Sequence, residues 1–320
     1  MPSAPTTRAA RRRRVARRRR AAAGVIAVVI VAALTVGVFG FVRSLSERPA
    51  STAGAADVSA ALDAADASAE PSPTATAAAP DVDTAAAADA ALAVLGDYSD
   101  ASRATEDALY AATETLRAAT TADEADAAQA QVDAASAAVM ADAEAFRAEI
   151  SAAATGDQPT GGDVAAQLAY LHQYVTDYNS DQWGDYNAYG GDCTNFASQG
   201  LIARGWHIDG AWYSQGAMWT ASKPWIATAP MAAYFDSLGF SYSTETDLDR
   251  VRVGDIGIFN WGETGSGVDH TMTVSKVEYN PDGPPTVYFV SHNYDGDFRE
   301  LTNALYVEHS DSTVRIYHIP

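Results

Sequence analysis

The sequence predicts an α+β architecture for the C-terminal half of the chain, on three observations. Apolar residues recur every three or four positions at Ala165, Leu168, Leu171 and Val175, and a second helical run follows in GDCTNFASQGLIARG. Downstream, VRVGDIGIFNW, DHTMTVSKVEY, TVYFVSHNY and STVRIYHI read as strands, the middle two joined through the turn-rich NPDGPP. Helices followed by neighbouring strands describe helices packed on an antiparallel sheet. Residues 162–320 also hold all six tryptophans, all six histidines and 13 of the 15 tyrosines, so this segment is the one able to bury a sizeable core.

The chain opens with nine arginines in residues 1–20, followed by the uncharged run AAAGVIAVVIVAALTVGVFGFV at residues 21–42. At ~1.5 Å rise per residue this run matches the ~30 Å hydrocarbon core of a bilayer. It exceeds the 7–15 apolar residues typical of a cleaved signal peptide, so residues 21–42 are expected to be a transmembrane anchor. Small residues around 50–56 leave cleavage as the alternative. The arginines place residues 1–20 in the cytoplasm, as a basic tail, and export everything after Arg43. A plasma-membrane protein with a single span and an extracytoplasmic functional domain is therefore expected.

Charge supports this division. The whole chain carries 21 − 41 = −20; its first 48 residues hold 11 arginines and one glutamate, leaving 10 − 40 = −30 for the rest. So acidic an ectodomain excludes nucleic acid and anionic lipid surfaces as partners of the folded part. Residues 43–83 are dominated by Ala, Ser, Thr, Pro and Asp, the composition of a disordered linker or stalk.

Residues 84–154 are alanine-rich, with Leu92, Leu95, Leu109, Leu116, Val132, Val139, Phe146 and Ile150 at helical spacing. Two helices are expected, broken at TTADEADA, where Thr121 and Glu124 match a capping box. An antiparallel helical hairpin, a coiled-coil spacer or a surface for self-association or partner binding, follows. It carries neither histidine nor cysteine, so chemistry is not expected there.

In the C-terminal segment one stretch stands out, GGDCTNFASQGLIARGW, around the single cysteine of the chain, Cys193. Asp192 is the expected N-cap of a helix beginning at Cys193, with Gly205 just past its end and Phe196, Ala197, Leu201 and Ile202 on its inner face. A thiol at the first turn of a helix gains from unsatisfied N–H groups and the positive dipole end, both of which favour the thiolate. An exported protein also has reason to exclude an idle thiol.

A histidine to accept the thiol proton is at hand in His270, which a glycine-rich approach delivers to the start of a strand. The group holding that imidazole in one tautomer is His292, the first candidate, or Asn293 beside it. The competing reading makes Cys193 a small buried hydrophobe and each histidine an ordinary core or surface residue. A zinc site from Cys193, His270 and His292 lacks paired ligand spacing, so no metal or other cofactor is expected.

The stretches NAYGGDCTNFASQGLIARGW, VGDIGIFNW, DHTMTV and VSHNYDGDFREL together resemble the putative amidase domain family of the papain-like cysteine peptidase clan, whose NlpC-type and CHAP-type members cleave cell-wall amides. The resemblance runs from about residue 164 to 305 and implies a papain-like fold. It also implies Cys193 as nucleophile, His270 as general base and then acid, and His292 as the orienting group. It departs from the family pattern at DVAAQLAYLHQY and at Arg204, where a glycine is usual. An acyl-transfer mechanism would rest its oxyanion on the Cys193 N–H, with Asn187 or Tyr186 as further donors. The expected substrate is a peptide amide, peptidoglycan first. A wall-binding module without turnover, or a membrane-anchored scaffold working through the hairpin, is the alternative.

Overall fold

The computed structural model describes residues 78–263, 265 and 267–320. The basic tail, the expected anchor at residues 21–42 and nearly all of the expected linker lie outside the described residues. Among the described residues, no helix is long and apolar enough to cross a membrane. Pro73–Pro320 forms one compact unit.

Its C-terminal part is α+β. Six strands, β1 (Tyr242–Thr244), β2 (Ile256–Asn260), β3 (His270–Glu278), β4 (Thr286–Ser291), β5 (Gly296–Glu300) and β6 (Thr313–Tyr317), form one sheet in the order β1-β6-β2-β3-β4-β5, every pair antiparallel. The four central strands are those the alternating runs predict. The short edge strands β1 and β5 have too few buried residues to leave such a pattern.

Strand alternation sorts the core into two faces. Ile256 and Ile258 of β2 and Tyr317 of β6 join Leu201, Trp206, Trp212, Trp225, Met231 and Phe235 in one cluster. Phe259, Met272, Val274, Phe289, Val314 and Ile316 point the other way, into a second cluster with Trp261, Leu301 and Leu305. At ~1.5–3 kcal/mol for each large side chain fully buried, these two layers supply most of the cohesion of the domain.

The first face is covered by helices. Helices α1 (Thr84–Leu92), α2 (Val94–Asp97), α3 (Arg103–Arg117) and α4 (Ala122–Ala153) come first, then α5 (Val164–Tyr174), α6 (Cys193–Arg204) and α7 (Thr228–Ser237). Asp163 caps α5 by accepting the Ala166 N–H at 2.8 Å. Helix α6 is the central element. Residues 193–201 and Arg204 are all buried, so its polar side chains are enclosed along with its apolar ones. Ser198 donates to the Trp225 carbonyl at 3.1 Å, and the Trp225 indole donates to Asn195 Oδ1 at 2.7 Å. Helix α6 ends at Gly205, in the left-handed region at φ 111°. Arg204, 2% exposed, donates to Gln167 Oε1 and to the Ile319 and Pro320 carbonyls, and burial pulls its guanidinium down to about 10.

The alanine-rich segment differs from the two helices its sequence suggests, because the first half is broken into α1, α2 and α3. The break around residue 100 is fixed by Asp100, fully buried, whose carboxylate binds Arg147 at 2.7 and 2.8 Å. The Thr121–Glu124 capping box opens α4. These helices share a core of Leu95, Leu109, Leu116, Val132 and Val139 and are tied to the sheet domain by polar contacts. Arg250 reaches Asp142 at 2.7 Å, Arg103 donates to the Gly283 carbonyl at 2.8 Å, and Tyr279 donates to Asp107 at 2.8 Å.

Candidate active site

The first turn of α6 is held by a hairpin a hundred residues downstream. Asn293 Oδ1 accepts the backbone N–H of Asp192 at 2.5 Å and of Cys193 at 2.9 Å. Asn293 and Tyr294 both have positive φ, 58° and 80°, the left-handed geometry that turns β4 back into β5. Close approach requires glycine at position 191: a Cβ there would lie 2.9 Å from Asn293 Oδ1, on a backbone at φ 127°.

Asp192 therefore occupies the expected N-cap position without capping through its carboxylate. Its Oδ1 accepts the Tyr186 N–H and the Asn195 amide, both at 2.9 Å, and its Oδ2 lies 2.6 Å from His292 Nδ1. The imidazole draws the carboxylate away from the helix end, and Asn293 takes over the cap. His292 is 1% exposed, sandwiched at 3.6 Å between the rings of Tyr178 and Phe196, with Nε2 2.9 Å from the Tyr174 carbonyl. Both ring nitrogens thus face oxygen acceptors. The ring is committed to Asp192 and Tyr174, and no hydrogen bond joins it to His270 among the described residues.

Cys193 is 9% exposed. Burial pushes its thiol pKa up, opposed by the Thr271 N–H and by Thr194 and Thr228. The Thr194, Thr228 and Thr271 hydroxyls form a buried cluster at 3.0–3.2 Å from one another, with Thr194 Oγ1 3.8 Å from the sulfur. The thiol therefore lies against the peptide that joins His270 to Thr271.

The His270 imidazole faces elsewhere. Along β3, Thr271 turns towards α6, and His270 shares its side of the strand with Met272 and Val274. Its ring stacks on Trp261 at 4.2 Å, and its Nε2 is buried without a hydrogen-bond partner. Burial first, then the charge of Arg299 and the proximity of His309, pull its pKa from 6.5 down to about 3. The structure thus brings the backbone of His270 to Cys193 and leaves thiol and imidazole without a hydrogen bond among the described residues.

The remaining candidates lie around the same turn. Asn187 is exposed, and its Oδ1 accepts from Asn293 Nδ2 at 2.5 Å. Tyr186 is 3% exposed, its hydroxyl buried beside Ser214.

Residues 162–317 match a family model described as a putative amidase domain. This domain belongs to that family. No curated protein and no solved structure matches the chain.

Two features of the amidase domain escape its sequence. One is the grouping of Trp261, His270, Tyr294, Arg299 and His309 on the sheet face away from α6. Strand parity gives part of it, since Trp261, Phe259 and His270 fall on one side; the irregular segment bearing His309 gives no such signal. The other is a buried chain in which Ser243 Oγ lies 3.3 Å from His318 Nε2 and His318 Nδ1 lies 3.2 Å from Asp255 Oδ2. Its connectivity is that of a hydrolytic triad, but its role here is a strut. Asp255 is fully buried and also accepts the Ile319 N–H at 3.0 Å, and the Phe146 ring packs edge-on against His318 at 5.2 Å.

Proposed function

We propose that the chain is an extracytoplasmic cysteine amidase, anchored in the plasma membrane through residues 21–42, that hydrolyses peptide amides of the cell wall. The observation that carries this reading is the Cys193 thiol at the first turn of the enclosed helix α6, one peptide from His270, inside the segment matching the putative amidase domain. The fold that goes with it is papain-like.

In the reaction, the Cys193 sulfur attacks the amide carbonyl carbon and the thiol proton passes to His270. The C–N bond breaks as His270 protonates the leaving amine. Water, deprotonated by the same imidazole, then adds to the thioester, releasing the acid and restoring the thiol. In the resting site thiol and imidazole are both neutral, because burial opposes both charges. Proton transfer therefore accompanies substrate binding, which brings sulfur, amide and imidazole together at the N-terminal end of β3. Catalytic hydrogen bonds that form only with substrate in place are common in hydrolases. The Cys193 N–H becomes an oxyanion donor when the carbonyl displaces Asn293 Oδ1.

A second reading, a wall-binding module without turnover, is favoured by the sequestered thiol and by the commitment of His292 to Asp192. Incubating the full chain and its Cys193→Ser variant with murein sacculi, and weighing the released fragments, separates the two. Fragments ending in a new amine and a new carboxylate, lost with Cys193→Ser, support hydrolysis. Sacculi retained by the protein and left intact support the module.

A further inference from the structure

Three buried nitrogens on the sheet face away from α6 lack hydrogen-bond partners: His270 Nε2, Trp261 Nε1 and Arg299 Nη1. They belong to one stack. The Trp261 ring lies parallel to His309 at 3.9 Å and stacks with His270 at 4.2 Å. The Arg299 guanidinium carbon is 5.2 Å from the Trp261 ring and 4.9 Å from that of Tyr294. A buried donor left unpaired is costly, and native proteins leave few of them. Two such donors, Trp261 Nε1 and Arg299 Nη1, beside an unpartnered imidazole nitrogen point to an absent partner.

The chemistry of that partner follows from the donors. Indole and guanidinium nitrogens only donate, so the partner brings acceptor oxygens. A planar cation with a free edge pairs best with a planar anion. Arg299 Nη2 is already engaged by Glu308, and His309 Nδ1 by Glu263 at 3.1 Å, which leaves Nη1 for the newcomer. Tyr294, 62% exposed, stands at the solvent edge of the cluster and is covalently next to Asn293, the cap of the helix that carries the thiol.

We propose that Trp261 and Arg299, beside the His270 ring, form a specificity subsite that receives a carboxylate borne by the substrate. This deepens the amidase reading and rests on it. Binding also arms the base: a carboxylate on Arg299 cancels part of the positive potential that disfavours the imidazolium of His270. A substrate lacking the carboxylate is then bound more weakly and meets a weaker base.

The test uses the full chain with N-acetylglycine and N-acetylglycinamide, identical except that one ends in a carboxylate, and follows binding by saturation-transfer NMR. The acid is expected to bind at least about tenfold more tightly than the amide. Arg299→Gln is expected to erase the difference, and Trp261→Phe, which keeps the stack and removes the indole N–H, to weaken the acid about threefold to tenfold. Near-ultraviolet circular dichroism checks that each variant folds, and if Arg299→Gln does not, Trp261→Phe carries the comparison. Equal binding of acid and amide, or acid binding indifferent to both variants, overturns the subsite. Hydrolysis is read separately from binding: discrimination by a chain that hydrolyses no amide upholds the subsite and removes the amidase, whereas Cys193-dependent hydrolysis without discrimination does the reverse.

Discussion

Asn293 Oδ1 accepts the Cys193 N–H at 2.9 Å, so the helix bearing the thiol is capped by a side chain 100 residues away in sequence. Asn293→Ala removes both bonds to the helix end and is expected to destabilise the fold by about 1–2 kcal/mol, read as a lower urea midpoint with an unchanged slope. Asn293→Asp keeps the cap but sets a negative charge beside the sulfur. It should slow alkylation of Cys193 by iodoacetamide at neutral pH with little loss of stability. An unchanged alkylation rate in Asn293→Asp would mean that the two groups do not sense each other.

The Asp192–His292 pair predicts a structural phenotype. Removing one partner strands the other in the interior, so Asp192→Ala is expected to cost about 3–5 kcal/mol. His292→Ala also empties the slot between Tyr178 and Phe196 and should lower the thermal midpoint strongly. An orienting role for His292 in catalysis predicts the converse, a chain of normal stability with reduced turnover, and measuring midpoint and rate together distinguishes the two.

Thiol reactivity should follow a simple titration. The raised Cys193 pKa and a His270 held near 3 leave no thiolate–imidazolium pair at neutral pH. The iodoacetamide rate is expected to climb through the alkaline range with one inflection above that of a free thiol. A plateau of reactivity between pH 5 and 7 would show a preformed pair. The same shift acts on stability. Between pH 6.5 and about 3 the unfolded chain takes up a proton that folded His270 refuses, so this contribution is lost as the pH falls through that window.

Glu106 carries the opposite dependence. On α3, 3% exposed, it is pushed up to about 8, first by burial and then by Asp249 and Asp107, with Arg103 and Arg250 pulling it down. From pH 4.5 to 8 the unfolded chain releases a proton that the folded one keeps, so stability falls as the pH rises. Glu106→Gln should remove a loss on the order of 2–4 kcal/mol between pH 5 and 8, checked by urea unfolding at both.

The fold was legible where one residue type answers one physical demand. Gly205 marks the end of α6 because only a left-handed residue closes it there, and Thr121 with Glu124 marks the start of α4. Helix α6 itself was less transparent: buried on nearly every side, it has no polar face to betray its orientation. The alternation in DHTMTV already contained the parity that turns Thr271 towards the helix and His270 away from it. Reading His270 only as the start of a strand passes over this. Asn293 and His292 exchange roles with Asp192 through contacts across a hundred residues, and neither periodicity nor spacing encodes such a contact.

The bonds from Arg103 to the Gly283 carbonyl and from Arg250 to Asp142, with Phe146 against His318, make the alanine-rich helices part of the wall of the amidase domain. A fragment cut to begin at residue 162 would keep the entire family match and lose that wall. It would present Arg250 without its counter-ion and His318 without its ring contact, and it should be made and stored less readily than a chain starting near residue 78.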